Sequence, residues 1–404
     1  MENKLKICLL TFGAYPVPAT EGGAVENLVE IMADNYQQGK YECCMDIVSK
    51  YSEPARQQSA NYPKVKFHFI QYTRTAMKLY KFIRRIVNKL FGFVPVRMDP
   101  YFSKALDIIR KNKYDVVIVE NGTYFVQALK RHCSSRIVFH LHNDFGSIEA
   151  QKPAKLVKNS DMMIAVSDYV AGNVRNTSEC NYPVVTVKNV IDTRRFIADA
   201  QKTDRAKSIR KKYGFSDDDV VCLFSGRLIP EKGIHLLIDA LSGIADSRIK
   251  LLVVGGTSFS DSYKTDYEQK LLDMAEKLGD RVVFTGYVDY GDIPAYYHAC
   301  DIAVFPSQCP EAAGLVVLEA QSAGKPVIIA NAGGMPEYVC NESAIVVPRG
   351  RNFTHKLAAA ISTLSDSAEL RVRMGNAGAA FAAQYDKKGY FDEILKATVT
   401  TLNL

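Results

Sequence analysis

The sequence predicts an α/β protein built from two parallel-sheet domains. Three observations carry that prediction. Short, continuous apolar strands alternate with helical patterns from end to end, as expected of parallel strands buried on both faces. The alternation restarts, with one series running over residues 6–189 and a second opening at residue 220. The length of 404 residues also exceeds what one hydrophobic core ordinarily serves.

In chain order, residues 6–11 read as a buried strand, 12–23 as a long loop ending in Gly22-Gly23, and 24–37 as a helix. A glycine pair opening a helix suits a phosphate, because the missing side chains let a ligand approach the backbone. The dinucleotide fingerprint G-x-G-x-x-G is absent there and after residues 251–254. Residues 114–120 (YDVVIVE) and 136–141 form the next strands, the latter running into His140, Leu141, His142, Asn143 and Asp144. Strand alternation puts both histidines on one side, at a strand end where ligands bind. This exposed polar cluster makes His142 the preferred site residue and His140 the second. Residues 165–167 and 184–189 complete the first sheet.

Residues 191–215 turn charged and weakly periodic, and are expected to be a linker. The domains are then residues 1–190 and 216–383, with residues 384–404 as a terminal segment. Strand 220–226 leads into the loop RLIPEKG, whose Arg227 and Lys232 could neutralise a diphosphate. Asp217-Asp218-Asp219 spells a metal-type D-x-D but precedes a strand, as a solvated turn would.

The most informative stretch is residues 305–339, FPSQCPEAAGLVVLEAQSAGKPVIIANAGGMPEYV. It reads strand end, loop, helix 314–323, strand 326–330 and a Gly333-Gly334 turn. Glu311 falls in the loop and Glu319 lies about 12 Å further along if every step is helical. The amides of Gly314, Leu315 and Val316 sit in the first turn, where N–H groups lack partners and favour phosphate. Acid, amides and acid in that order can hold sugar, diphosphate and ribose. Taken in isolation, the same pair is a solvated loop residue and a surface helix residue.

Composition narrows the class. The content is 47% apolar and 24% charged, as in globular proteins. Nine scattered cysteines with no C-x-x-C argue for a reducing cytoplasm and against a disulfide framework or zinc site. No signal peptide or membrane-spanning run is expected. The basic excess lies in the first half, where residues 64–113 carry 13 basic residues against Asp99 and Asp107. Within it, residues 76–91 separate as a helix into an apolar face (Leu79, Phe82, Ile83, Ile86, Val87, Leu90) and a basic one (Lys78, Lys81, Arg84, Arg85, Lys89). That helix either packs on its own domain or lies on an anionic membrane surface. Nucleic acid is not expected, since interleaved aromatics and a reading motif are missing.

Taken together, Gly22-Gly23, SDMMIAVSDYV (160–170), NVIDTRRF (189–196), FSGRLIPEKGIHLLIDAL (224–241), FTGYV (284–288), PEAAGLVVLEAQSAGKPVI (310–328) and GGMPEYV (333–339) resemble retaining glycosyltransferases of family 4. The match runs nearly end to end, sparing residues 40–110. The resemblance implies the GT-B fold, two facing Rossmann-like domains with an interdomain cleft, and a last helix returning to the first domain. By resemblance, Glu319 holds the ribose of a nucleotide sugar, and Arg227 and Lys232 bind its diphosphate with amides near Gly23 and Leu315. The backbone at Tyr287-Val288 meets the base, Glu311 contacts donor-sugar hydroxyls, and His142 lies beside that sugar. The family's E-G-F-G appears here as Glu311-Ala312-Ala313-Gly314, which alters the wall beside the sugar.

The implied reaction transfers a sugar from a nucleotide-diphosphate donor, a UDP-sugar first, to a glycan or lipid-linked oligosaccharide. It proceeds with retention, by a same-face route, and without metal or other cofactor. The implied setting is cell-surface polysaccharide assembly, cytoplasmic or peripheral on the inner membrane face. A GT-B nucleotide-sugar epimerase and a non-catalytic nucleotide-sugar-binding subunit are the alternatives.

Overall fold

The structure is a computed structural model and describes residues 4–91, 98–144, 159–177, 180–256 and 265–404. The chain divides into two compact units, residues 1–188 with 387–404, and residues 189–386.

The first unit is a seven-stranded parallel sheet ordered β3-β2-β1-β4-β5-β6-β7. Its strands are β1 (Leu5–Leu10), β2 (Cys43–Lys50), β3 (Lys66–Ile70), β4 (Val116–Glu120), β5 (Arg136–Leu141), β6 (Met162–Ala165) and β7 (Val184–Thr186). Helices α1 (Ala24–Gln38), α2 (Glu53–Gln58), α3 (Arg74–Phe91), α4 (Pro100–Asn112), α5 (Thr123–His132) and α6 (Asp168–Arg175) are its connections. β4 is buried at every position, which explains the unbroken apolar run VVIV. Strand order reverses between β1 and β4, where a doubly wound sheet opens its ligand crevice at the strands' carboxyl ends.

The second unit repeats the plan with order β10-β9-β8-β11-β12-β13. It contains α7 (Ala200–Lys212), β8 (Val220–Ser225), α8 (Ile234–Ser242), β9 (Ile249–Val254), α9 (Asp266–Glu276) and β10 (Val282–Phe284). There follow α10 (Ile293–Ala299), β11 (Ile302–Phe305), α11 (Leu315–Ser322), β12 (Val327–Ala330), β13 (Ala344–Val347), α12 (Phe353–Ser365) and α13 (Ala368–Ala382). Here β8 and β11 flank the reversal, in register through Leu223 and Ala303. Both sheets are the Rossmann-like pattern the sequence predicts.

Three features depart from or add to the sequence reading. Residues 191–215 are not a linker but part of the second core, with Ile191, Phe196 and Phe215 buried among Tyr297, Leu318 and Tyr338. α7 looks linker-like because Ala206 is its one buried residue. Arg210 anchors it instead, donating to the carbonyls of Ala299, Ser216 and Asp219. Second, β2 and β3 were not legible in residues 40–110, since Asp46 and alternating charge interrupt them. Asp46 is tolerated there because His68 and Tyr114 donate to it at 2.7 and 2.6 Å.

Third, α3 does not bury its whole apolar face. Leu79, Phe82 and Ile86 are 57, 61 and 43% exposed, while Ile83 and Val87 are half-buried. Arg84 turns back over the Tyr124 ring at 5.6 Å. The side chain of Leu90, also assigned to that face, lies outside the described residues. Among the described residues, no helix is long and apolar enough to cross a membrane.

The last helix, α14 (Tyr390–Leu402), belongs to the first unit. The amide of its Phe391 donates to Asn35 of α1, and the buried Phe391 ring meets Tyr36 edge-on.

Candidate active site

In the second unit, three loops converge on Glu311. Lys232 ends a 3-10 turn, Pro230–Lys232, after β8, and its Nζ lies 2.6 Å from Glu311 Oε1. Ser307, in the loop after β11, donates to the same oxygen at 2.6 Å. Gly233, at φ +74°, lets the β8 loop press on the β11 loop, for a Cβ there would sit 2.1 Å from the Pro306 carbonyl. From the loop after β12, the Gly334 amide donates to the Glu311 carbonyl at 2.6 Å. Gly333 passes so close that a Cβ would meet that carbonyl at 2.4 Å. Glu311 is therefore not a solvated loop residue but a carboxylate fixed by a cation and a hydroxyl.

Beyond it, α11 starts at Gly314 with no side-chain cap. The amides of Val317 and Leu318 bond the Gly314 carbonyl, while those of Leu315 and Val316 precede the first bond of the helix. Two turns on, Glu319 is buried rather than on the surface. Tyr297 and Tyr290 donate to its two oxygens at 3.1 and 3.2 Å. Burial pushes its carboxyl up to about 7, against the pull of Tyr297 and Tyr290. The Arg195 guanidinium stacks on the Tyr290 ring at 4.4 Å. Tyr287, 48% exposed, and half-buried Val288 occupy the same loop as Tyr290, between β10 and α10. Arg227 follows β8 and is exposed, with no ion pair among the described residues.

Ser307, Tyr290, Tyr297 and Arg195 were not picked out from sequence. A serine in a loop carries no signal of its own. The tyrosines and Arg195 are ordinary residues until the fold brings them to Glu319.

The first unit gathers a second constellation. His140 and His142 are buried, not exposed, with ring centroids 4.0 Å apart. Register pairs Glu120, the last residue of β4, with His140. His142 Nε2 lies 2.6 Å from Glu120 Oε2. His140 Nδ1 is 3.0 Å from the same oxygen. The backbone of Asn121, at φ +55°, turns its side chain to accept the His142 amide at 2.9 Å. Burial pushes the Glu120 carboxyl up, but the facing imidazoles outweigh it and hold it at about 2. Burial first, and the His140 ring second, push His142 down to about 4.

Gly22 and Gly23 open α1 with φ of +79° and +105°. The Gly22 amide is less available than expected, since it donates to the Ala19 carbonyl. A Cβ on Gly23 would meet Glu26 Oε2 at 2.2 Å. Glu26 is itself buried, and burial pushes its carboxyl up to about 7. Among the described residues, Glu120, His140 and His142 are the one group of His, Cys, Asp or Glu side chains close enough to share a metal ion.

Known proteins resolve the class. Residues 62–195 match the family described as Glycosyltransferase Family 4, and residues 205–381 match Glycosyl transferases group 1. An uncharacterized glycosyltransferase of Methanocaldococcus jannaschii is 30% identical over 64% of this chain and 68% of its own. The chain belongs to the glycosyltransferases. A second relative of this glycosyltransferase is the lipopolysaccharide 1,2-N-acetylglucosaminetransferase of Salmonella typhimurium, 29% identical over 67% of each chain. The Anabaena protein HepE, solved in complex with UDP-glucose, superposes with a TM-score of 0.74 over 98% of this chain and 100% of its own, at 21% identity. That likeness gives the glycosyltransferase the GT-B fold. It is an enzyme.

Proposed function

We propose that this glycosyltransferase moves a sugar from a nucleoside-diphosphate donor, a UDP-sugar first, to a hydroxyl of a glycan or lipid-linked oligosaccharide, with retention of configuration. The observation that carries this reading is the single β-α-β stretch holding a cation-fixed carboxylate, an uncapped helix start and a buried, tyrosine-bound carboxylate. Glu311 takes donor-sugar hydroxyls, and the amides of Leu315 and Val316 take phosphate oxygens. Glu319 takes the ribose, and the backbone of Tyr287 and Val288 meets the base. Arg227 and Lys232 neutralise the diphosphate as it leaves, the task a divalent cation performs in other transferases. In the first unit, His142 and the Gly22-Gly23 loop are the substrate-facing groups.

In the step itself, the anomeric C–O bond breaks and its electron pair goes to the departing diphosphate. The acceptor oxygen bonds the same face of the anomeric carbon, and its proton passes to a phosphate oxygen of the leaving group. No protein nucleophile is needed. The UDP-glucose complex of HepE supports the donor class. The lipopolysaccharide relative and the exposed Leu79, Phe82 and Ile86 beside basic residues support an acceptor held at an anionic membrane surface. The nine free cysteines accord with a reducing cytoplasm, with the enzyme peripheral on the inner membrane face.

A hydrolysis screen across UDP-, GDP- and ADP-sugars tests the reading, with nucleotide release and the first-formed anomer followed by NMR. Slow release from one donor class, with the donor's anomeric configuration and in EDTA, is the expected result. Release of the opposite anomer would remove retention. Epimer formation without an acceptor, or tight nucleotide binding with no turnover, would replace the transferase reading with its rivals.

A further inference from the structure

The Glu120, His140 and His142 cluster holds four buried polar atoms with no hydrogen-bond partner: Glu120 Oε1, both ring nitrogens of His140, and His142 Nδ1. One strong bond is made, between His142 Nε2 and Glu120 Oε2 at 2.6 Å. At that separation a proton must lie between the two atoms, because a bare imidazole lone pair facing a carboxylate oxygen would repel it. The imidazole therefore carries its hydrogen on Nε2, and Nδ1 is left as a lone pair. The reverse tautomer would bury an N–H with no acceptor, an arrangement rarer in proteins than an unpaired acceptor.

A shared metal ion fits the distances less well. Two ligands of a tetrahedral zinc, each about 2.0–2.1 Å from the metal, lie roughly 3.3 Å apart. The 2.6 Å contact is a charge-assisted hydrogen bond.

We propose that Glu120 is the positioning residue for His142, holding the ring in the Nε2–H tautomer so that Nδ1 is the atom offered to a sugar hydroxyl. This rests on the reading above in one respect, that His142 serves the donor sugar. Glu120 closes β4 and His142 follows β5, so two adjacent strands fix the pair at the carboxyl edge of the sheet. Asn121 pins the His142 backbone, which limits rotation of the ring away from Glu120. A buried carboxylate behind an imidazole also strengthens the lone pair on the far nitrogen, the arrangement by which Ser-His-Asp hydrolases fix their histidine. The nearby His140 also faces Glu120, its Nδ1 3.0 Å from the same oxygen.

The test uses the full-length protein labelled with nitrogen-15 in its seven histidines, with the His142 ring assigned through His142→Gln. Long-range proton–nitrogen correlations between pH 6 and 8 should show His142 protonated on Nε2 and bare on Nδ1. Glu120→Gln should populate both tautomers and cut donor turnover about 100- to 10,000-fold, with donor KM moving less than about threefold. Glu120→Asp should restore part of the turnover and the single tautomer. A wild-type His142 protonated on Nδ1 overturns the proposal, as does wild-type turnover in Glu120→Gln. One zinc per chain in wild type that is lost from Glu120→Gln overturns it too, in favour of a metal site. If Glu120→Gln fails to fold, the wild-type spectrum and Glu120→Asp decide. Should no nucleotide sugar be cleaved, the donor reading fails while the tautomer spectrum still judges the positioning role.

Discussion

Lys232 Nζ and Glu311 Oε1 lie 2.6 Å apart and tie the loop after β8 to the loop after β11. Both groups are partly buried, so the ammonium answers a carboxylate already drawn out of water. Lys232→Met should leave Glu311 with Ser307 as its remaining side-chain partner and remove a cation from the diphosphate. Donor turnover should fall by about 100- to 1,000-fold, as for loss of one well-placed donor elsewhere. Lys232→Arg should recover little of it, because a planar fork replaces a point charge. Steady-state donor hydrolysis reads both, and undiminished turnover in Lys232→Met would remove the lysine from the site.

Glu319 makes a pH prediction with a definite sign. Its carboxyl, near 4.5 when unfolded, is pushed up to about 7 in the fold by burial. The protonated form is thus the one the fold favours. Its contribution to stability is complete below about pH 4.5 and is lost as pH rises through about 7. The full loss is on the order of 3 kcal/mol. Chemical denaturation of wild type and Glu319→Gln at pH 5 and pH 8 should show wild type losing ground at pH 8. Nucleotide affinity should move the other way, because the carboxylate accepts two ribose hydroxyls better than the acid does. Calorimetric titration with UDP across the same range checks that, and pH-independent binding would detach Glu319 from the ribose.

The two-sheet plan was legible because parallel strands buried on both faces leave uninterrupted apolar runs, as in β4, β9 and β11. The edge strand β3 leaves none. β3 reads KFHFI and exposes or half-exposes four of its five residues. Local geometry was legible where backbone chemistry forced it, at Gly314, Gly333 and the loop acid Glu311. Side-chain contacts were hidden where the partner is distant in sequence. Glu120 ends a strand that was read correctly, yet its side-chain partner is a histidine 22 residues away. Tyr297 reaches Glu319 across the same number of positions.

The misread linker yields a stability prediction. Phe196 is fully buried and meets Tyr297 edge to face at 5.8 Å. Through Tyr297 it stands behind the Glu319 carboxylate. Phe196→Ala should cost about 3–5 kcal/mol, the range for deleting a core aromatic. A true linker residue would cost a few tenths. Urea denaturation followed by circular dichroism distinguishes the two, and a variant within about 0.5 kcal/mol of wild type would return residues 191–215 to the linker class.

The exposed stripe of α3 supplies the last prediction. Leu79, Phe82 and Ile86 recur at the spacing of one helical face, and Lys78, Lys81, Arg85 and Lys89 are exposed around them. Arg84 is excluded from the basic set because it is engaged over Tyr124. If this face meets an anionic bilayer, charge and apolar insertion should be separable. Neutralising Lys78, Lys81 and Arg85 together should weaken flotation with phosphatidylglycerol vesicles on the order of 100-fold at low salt. Added salt should reproduce most of that loss in wild type, since the charges are screened over about a nanometre. Phe82→Ser should weaken binding at every salt concentration, because it removes inserted area rather than charge. Equal flotation of wild type and the triple variant would assign α3 to a protein contact or to no contact at all.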